Sequence, residues 1–206
     1  MTDSDHWDHV YETKGDRTSW FRPTLQKSLE IIDGLGLPPG SRAIDVGSGT
    51  STLLDNLLER GFSKVTANDL SSVALDKVQQ RLGDNAERAE FIVGDITKVE
   101  LEPNAYDLWH DRAVFHFLVD AEQRRAYIRQ VLRALRPNGR IIVATFGPQG
   151  PEQCSGLDVT RYDQDSLHSA FGLETFEKLG HERELHETPW GTEQEFVYCY
   201  CRCKSC

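Results

Sequence analysis

Two glycines stand two residues apart in Asp45-Val46-Gly47-Ser48-Gly49, directly after the short apolar run Ala43-Ile44. Glycines at the carboxyl end of a strand let a ligand lie against the backbone, and a doubly wound α/β fold receives nucleotide-like ligands at that edge. Asp45 is the acid that braces such a turn. Asp69 lies 22 residues beyond Gly47, where a carboxylate can accept from both hydroxyls of a ribose. Asp95 closes a third apolar run, Phe91-Ile92-Val93, in the same way. A fourth run leads into the polar cluster His110, Asp111, Arg112 and His116, whose residue types could remove a proton from, or grip, a reacting partner. Arg161, Tyr162, His186 and Trp190 fall in later loops and turns, where a second ligand could be held.

These groups need elements to carry them. Leu53, Leu54, Leu57 and Leu58 recur at helical spacing up to Gly61, so the glycine turn reads as strand, turn, helix. Val65-Thr66-Ala67 is the next strand, and Ser71 caps a helix carrying Leu75, Val78 and Leu82. Tyr106 to Trp109 is expected to form a strand that ends before His110-Asp111. A surface helix follows between Ala121 and Arg136, then a Pro137-Asn138-Gly139 turn and a buried central strand from Arg140 to Phe146. Strands alternating with helices over residues 42–146 predict an α/β fold, a Rossmann-like doubly wound sheet, mostly parallel. Residues 147–156 read as a loop and Asp165 to Phe171 as a short helix. Runs near Leu173 to Glu184 and Gln194 to Cys201 then predict a C-terminal antiparallel hairpin. Ahead of the sheet, Leu25, Leu29 and Ile32 mark one helix, and Trp7 and Tyr11 stand at i, i+4 on another.

The chain has 206 residues, enough to bury a core without disulfides. Its formal net charge of −10 makes nucleic acid and anionic membrane surfaces poor partners. No apolar run approaches the ~20 residues of a membrane span, and the acidic opening Met1-Thr2-Asp3-Ser4-Asp5 is unlike a signal peptide, so a cytoplasmic location is expected. Residues 151–206 hold 5 basic and 11 acidic side chains. An acidic field on that side would favour neutral or cationic partners. Cys199, Cys201 and Cys203 alternate, and Cys203-x-x-Cys206 has a ligand-like spacing, but no second pair is readable. They read as reduced thiols of a frayed tail, with no metal.

The turn Gly47-Ser48-Gly49-Thr50-Ser51-Thr52 lacks the third glycine of the dinucleotide pattern. Ala43-Ile-Asp-Val-Gly-Ser-Gly-Thr50 resembles instead the first motif of class I, seven-strand S-adenosyl-L-methionine-dependent methyltransferases. Phe91-Ile-Val-Gly-Asp95-Ile96, Tyr106-Asp-Leu-Trp-His-Asp111 and Leu135-Arg-Pro-Asn-Gly-Arg140-Ile-Ile-Val are similar to their later strand motifs. Ser51 departs from the glycine many members carry.

The resemblance implies S-adenosyl-L-methionine as cofactor. Gly47, with Asp45 and Gly49 in the same turn, would back its methionyl part, Asp69 would bind the ribose, and Leu70 would flank the adenine. Asp95 would accept from the adenine amine, Ile96 would pack on the ring, and Asp111 would meet the methionyl end or the acceptor. Trp7, Tyr11 and Trp20 resemble the aromatic opening of a subgroup that includes protein-lysine enzymes, and would close over the sulfonium.

The expectation is a single domain over residues 1–206: an N-terminal helical lid (1–40), a cofactor-binding nucleus (41–146), and substrate-side loops with a hairpin (147–206). It would methylate a small-molecule nucleophile by in-line displacement, as a monomer or homodimer. His110, Asp111 and His116 are the candidate catalytic groups, and Arg112, Arg161, Tyr162 and Trp190 the candidate substrate contacts. A protein-lysine N-methyltransferase and a non-catalytic cofactor sensor are the alternatives, each separable by whether label reaches protein, small molecules or nothing.

Overall fold

The computed structural model describes residues 4–204; the terminal residues 1–3 and 205–206, with Cys206 among them, lie outside that range. Two helices, α1 (Ser4–Thr13) and α2 (Gln26–Gly34), precede the sheet. Then follow β1 (Arg42–Val46), α3 (Leu53–Glu59), β2 (Lys64–Asp69), α4 (Ser72–Leu82), β3 (Ala89–Val93), β4 (Tyr106–Arg112), α5 (Ala121–Ala134) and β5 (Leu135–Phe146). A two-residue hairpin, β6 (Gln153–Cys154) and β7 (Leu157–Asp158), leads to α6 (Gln164–Phe171) and the long strands β8 (Phe176–Glu187) and β9 (Glu193–Cys203). The sheet order is β3-β2-β1-β4-β5-β9-β8. The first five strands run parallel, whereas β9 is antiparallel to β5 and β8 antiparallel to β9. This is the Rossmann-like sheet with a C-terminal hairpin, and seven strands complete it.

Both faces of a parallel sheet are covered, so its strands are apolar on both sides. One core gathers Ala43, Leu108 and Phe196 against α2, α3 and α4; the other gathers Ile44, Trp109 and Ile141 against α5 and α6. Ser71 caps α4, its hydroxyl accepting from the Ala74 amide at 3.1 Å. Asp163 and Ser166 form a capping box on α6.

Three departures from the sequence reading matter for the site. Strand β4 runs on through His110 and Asp111 to Arg112, three residues beyond the expected end, and alternation then sends these side chains to opposite faces. The segment after β5 is not bare loop, because β6 and β7 fold back over the carboxyl edge of the sheet. Finally, Cys199, Cys201 and Cys203 are not a frayed tail. They are buried in β9, in the core beneath α6, with Cys203 disulfide-bonded and the sulfurs of Cys199 and Cys201 3.6 Å apart. Among the described residues no cluster of three His, Cys, Asp or Glu could hold a metal ion, and no helix is long and apolar enough to cross a membrane.

Candidate functional site

The carboxyl ends of β1, β2 and β4 open into a cavity of about 320 Å³. Gly47, Asp69 and Leu70 line it from the strand ends, Ile96 from the turn after β3, and Trp7, Tyr11 and Trp20 from the N-terminal segment. Phe117, Val119, Cys154, Leu157 and Asp158 close the far side. A smaller cavity beside it is bounded by Asp45, Ser48, Gly49, Arg22 and His110, and Arg112 borders both.

Backbone geometry explains why the turn carries glycine. Gly47 has φ +64, and a Cβ there would lie 2.0 Å from Val114 Cγ2. Gly49 has φ +51, with the Tyr11 hydroxyl 2.4 Å from the place its Cβ would take. The lid is therefore pressed directly onto the glycine turn. Trp20 hydrogen-bonds the Tyr11 hydroxyl, and burial pushes that phenol well above its ordinary pKa. Trp7 makes edge contacts with Trp20 (5.8 Å between centroids) and Phe117 (5.5 Å), so one aromatic wall joins lid and far side.

The residues present fit S-adenosyl-L-methionine. Asp69 Oδ2 accepts from the Gly49 amide at 2.8 Å and Oδ1 from the Ser71 amide at 2.9 Å, and the Leu70 amide also donates to the carboxylate, which keeps acceptor capacity for a diol. Burial pushes its carboxyl up to about 6, against the pull of those amides. Asp45 Oδ2 and Ser48 Oγ are buried without a partner, and both residues border the smaller cavity. Orphaned polar atoms at a cavity are a demand for a polar ligand. The ammonium and carboxylate of a methionyl group would satisfy them, with Arg22 alongside. Leu70 and Ile96 would hold the adenine.

Other expected contacts fall elsewhere. Asp95 lines neither of these two cavities: its Oδ1 accepts from the Thr97 amide and hydroxyl and its Oδ2 pairs with Lys98, which hold its carboxyl below the usual range despite the opposing effect of burial. His110 is fully buried, its Nδ1 2.7 Å from Asp45 Oδ1 and its Nε2 2.9 Å from Ser28 Oγ. This Ser-His-Asp row lies between β4, β1 and α2, and ties the helix to the sheet. Asp111 points to the opposite face, where it accepts from the amides of Val114 (2.9 Å) and Phe115 and from the Tyr127 hydroxyl (2.5 Å). Burial pushes Asp111 up to about 7. His116 is buried between the Phe117 and Phe146 rings, and burial holds its imidazole down to about 3. None of these three candidate bases lines the main cavity; His110 borders the smaller one with both ring nitrogens already paired, and Asp111 and His116 border neither.

Among the expected substrate contacts, Arg112 alone borders a cavity. Arg161 donates to the Pro148 and Gly150 carbonyls and pairs with Glu152, bracing the loop after β5. Tyr162 packs on Phe115 in the core, and Trp190 is 62% exposed at the β8–β9 turn. The acidic excess of residues 151–206 is also placed away: of those side chains, Asp158 alone lines the main cavity. Sequence reasoning passed over Arg22, Ser48, Val114, Phe117 and Leu157. Only Arg22 carried a readable signal, a cation beside the lid aromatics Trp20-Phe21.

Residues 43–139 match the family profile described as methyltransferase domain. Over 123 residues the chain is 29% identical to demethylmenaquinone methyltransferase of Renibacterium salmoninarum, covering 57% of this chain and 48% of that protein. It is 22% identical over 139 residues to the mouse eEF1A lysine and N-terminal methyltransferase, covering 68% of this chain and 20% of that one. The chain thus spans about half or less of these curated relatives. In fold it matches phosphoethanolamine N-methyltransferase 2 of Haemonchus contortus, solved with phosphomonomethylethanolamine and S-adenosylhomocysteine. The TM-score is 0.74 at 15% identity, over 98% of this chain and 60% of that one.

Proposed function

We propose that this protein, whose residues 43–139 match a methyltransferase-domain profile, is a class I methyltransferase that transfers the methyl group of S-adenosyl-L-methionine to a small-molecule nucleophile by in-line displacement. The observation that carries this reading is the continuity of the main cavity. One space runs from the cofactor-side residues Gly47, Asp69 and Ile96 to an aromatic and aliphatic far side built by Phe117, Val119 and Leu157.

When bound, S-adenosyl-L-methionine supplies a methyl carbon already activated by a positively charged sulfur. The work left to the chain is to bind, align and exclude water, and proximity alone is worth ~7 kcal/mol or more. Asp69 and the glycine turn would fix the nucleoside end. Tyr11 and Trp20 would close over it, and aromatic faces attract the sulfonium charge. Trp7 and Phe117 would strip water from the approaching nucleophile. The lid is held shut from behind. Arg112 Nη1 donates to the Trp20 carbonyl at 2.9 Å, and His186 donates from Nε2 to the Ser19 carbonyl at 2.6 Å while accepting from Arg22.

Calorimetry with S-adenosylhomocysteine tests the binding half of the reading; no heat at millimolar ligand would refute it. Incubation of cell extract with methyl-labelled cofactor tests the other half. Label in small-molecule fractions is the expected result, whereas label in protein bands would shift the assignment to a protein substrate of the kind named for the mouse relative. Binding without turnover would mark a sensor.

A further inference from the structure

We propose that the acceptor methylated in this cavity is a small anion with an apolar body, a thiolate or phenolate, and that Arg112 is the residue that selects it. This rests on the methyl-transfer reading above and narrows its substrate class.

Arg112 ends β4 at the border of both cavities and is only 8% exposed. Its guanidinium lies over the Phe196 ring, 4.1 Å from the centroid, and donates from Nε to the Tyr198 hydroxyl and from Nη1 to the Trp20 carbonyl. Nη2 stands 3.5 Å from Glu184 Oε2 as an ion pair, yet it is buried without a hydrogen-bond partner. A desolvated cation with an unused donor at a cavity wall calls for an anion there. Apart from Cys154 and the exposed carboxylate of Asp158, which accepts from Gln153, the far side is aromatic and aliphatic. Cys154 is buried, and burial pushes its thiol up to about 12, against the pull of two cations, Arg112 and Lys14.

His110, Asp111 and His116 are committed elsewhere, and Asp158, the one carboxylate in the far wall, is exposed and accepts from Gln153 Nε2 at 2.9 Å. A thiol or phenol must therefore enter already ionised. Its lone pair forms the new bond to the methyl carbon while the carbon–sulfonium bond breaks, the electron pair staying on the departing sulfur. Anion and cation become two neutral products, and no proton has to leave. Such charge cancellation gains from an apolar, water-poor wall. Methylation of a neutral amine would instead leave an ammonium in the cavity beside Arg112. At an effective dielectric near 20 and a separation of ~5 Å, that difference in charge pairing corresponds to roughly 100-fold in rate.

The test uses the full chain and acceptors sharing one aromatic body: thiophenol, phenols of graded acidity, and benzylamine. Production of S-adenosylhomocysteine is followed on a preparation whose binding of that product is measured in parallel. The ionisable groups facing Arg112 are Glu184, Tyr198, His186, His116 and Cys154. The two histidines are held down to about 4 and 3, and the tyrosine and thiol are pushed up to about 12, so the window between about pH 8 and 10 belongs to the acceptor.

The expected result is that thiophenol and the acidic phenols turn over, with profiles that track each acceptor's own pKa, and that benzylamine is slower by about 100-fold. Arg112→Gln should shrink that preference by at least about 10-fold, and Arg112→Lys should restore part of it. Equal or better turnover of benzylamine, one shared pH profile across phenols of different acidity, or an unchanged preference in Arg112→Gln would overturn the proposal. The wild-type series decides the matter even if the glutamine variant fails to fold. Absence of product binding would instead sink the methyl-transfer reading and this proposal with it.

Discussion

Replacing Asp111 by asparagine separates a positioning role from a chemical one. Its carboxyl is buried on the α5 side of β4 and accepts from the Val114 and Phe115 amides and the Tyr127 hydroxyl, which itself accepts from Trp109 Nε1 at 2.8 Å. Those amides begin the 3₁₀ turn Phe115–Phe117, so Asp111 acts on the site through Val114 against Gly47 and Phe117 in the cavity wall. Burial raises its pKa from 3.8 to about 7 in the folded state. A carboxyl raised on folding binds protons more tightly when native, so stability is fully present at low pH and falls as pH rises through that interval.

Between about pH 5 and 8 the wild-type protein should lose ~2 to 3 kcal/mol on this account alone. Asparagine cannot ionise. It also leaves the Tyr127 proton without its acceptor, a fixed cost of ~1 to 3 kcal/mol. Asp111→Asn should therefore be less stable than wild type in acid and gain on it steadily up to about pH 8. Urea titrations at several pH values, followed by tryptophan fluorescence, read this directly. A stability difference flat across the range would refute the burial argument. Loss of turnover far beyond the fraction unfolded, with cofactor affinity intact, would return Asp111 to the chemistry.

Gly47→Ala places a Cβ 2.0 Å from Val114 Cγ2 at φ +64, so S-adenosylhomocysteine affinity should fall at least ~10-fold by calorimetry, with partial recovery in the Gly47→Ala/Val114→Ala pair. Ser28→Ala leaves His110 Nε2 unpaired in the core and should cost ~1 to 3 kcal/mol in denaturation while leaving kcat of the folded enzyme unchanged. His116 and His186 are held to about 3 and 4, below the ordinary 6.5, so their cost appears as pH falls from 6.5 toward 4; His116→Phe should flatten that acid slope in thermal melts. His186→Ala releases both Arg22 and the Ser19 carbonyl, and should raise the KM for cofactor more than it lowers kcat.

Local chemistry made the scaffold and the glycine turn readable. Apolar runs ending in Gly47, Asp69 and Gly94-Asp95, separated by capped helices, specify strands that all stop at one edge, and that edge is where a nucleotide-like ligand must sit. The lid aromatics were legible for the same reason, since Trp7 and Tyr11 share one helical face. What sequence could not set was direction. Ending β4 at Trp109 would leave His110, Asp111 and Arg112 free in a loop; extending it to Arg112 buries the first two on opposite faces and delivers only the third to the main cavity. Strand length depends on pairing with β1 and β5, which no local run of residues encodes. Charge misled for a related reason. Eleven acids in residues 151–206 implied an acidic acceptor side, but Asp158 alone among them lines the main cavity, and one buried arginine governs the wall instead. The cysteines followed suit: their alternation was visible, and only the sheet, by giving β9 a covered face under α6, made them core. Composition and spacing thus determined which chemistry the chain could hold, and the pairing of strands decided which side chains reach it.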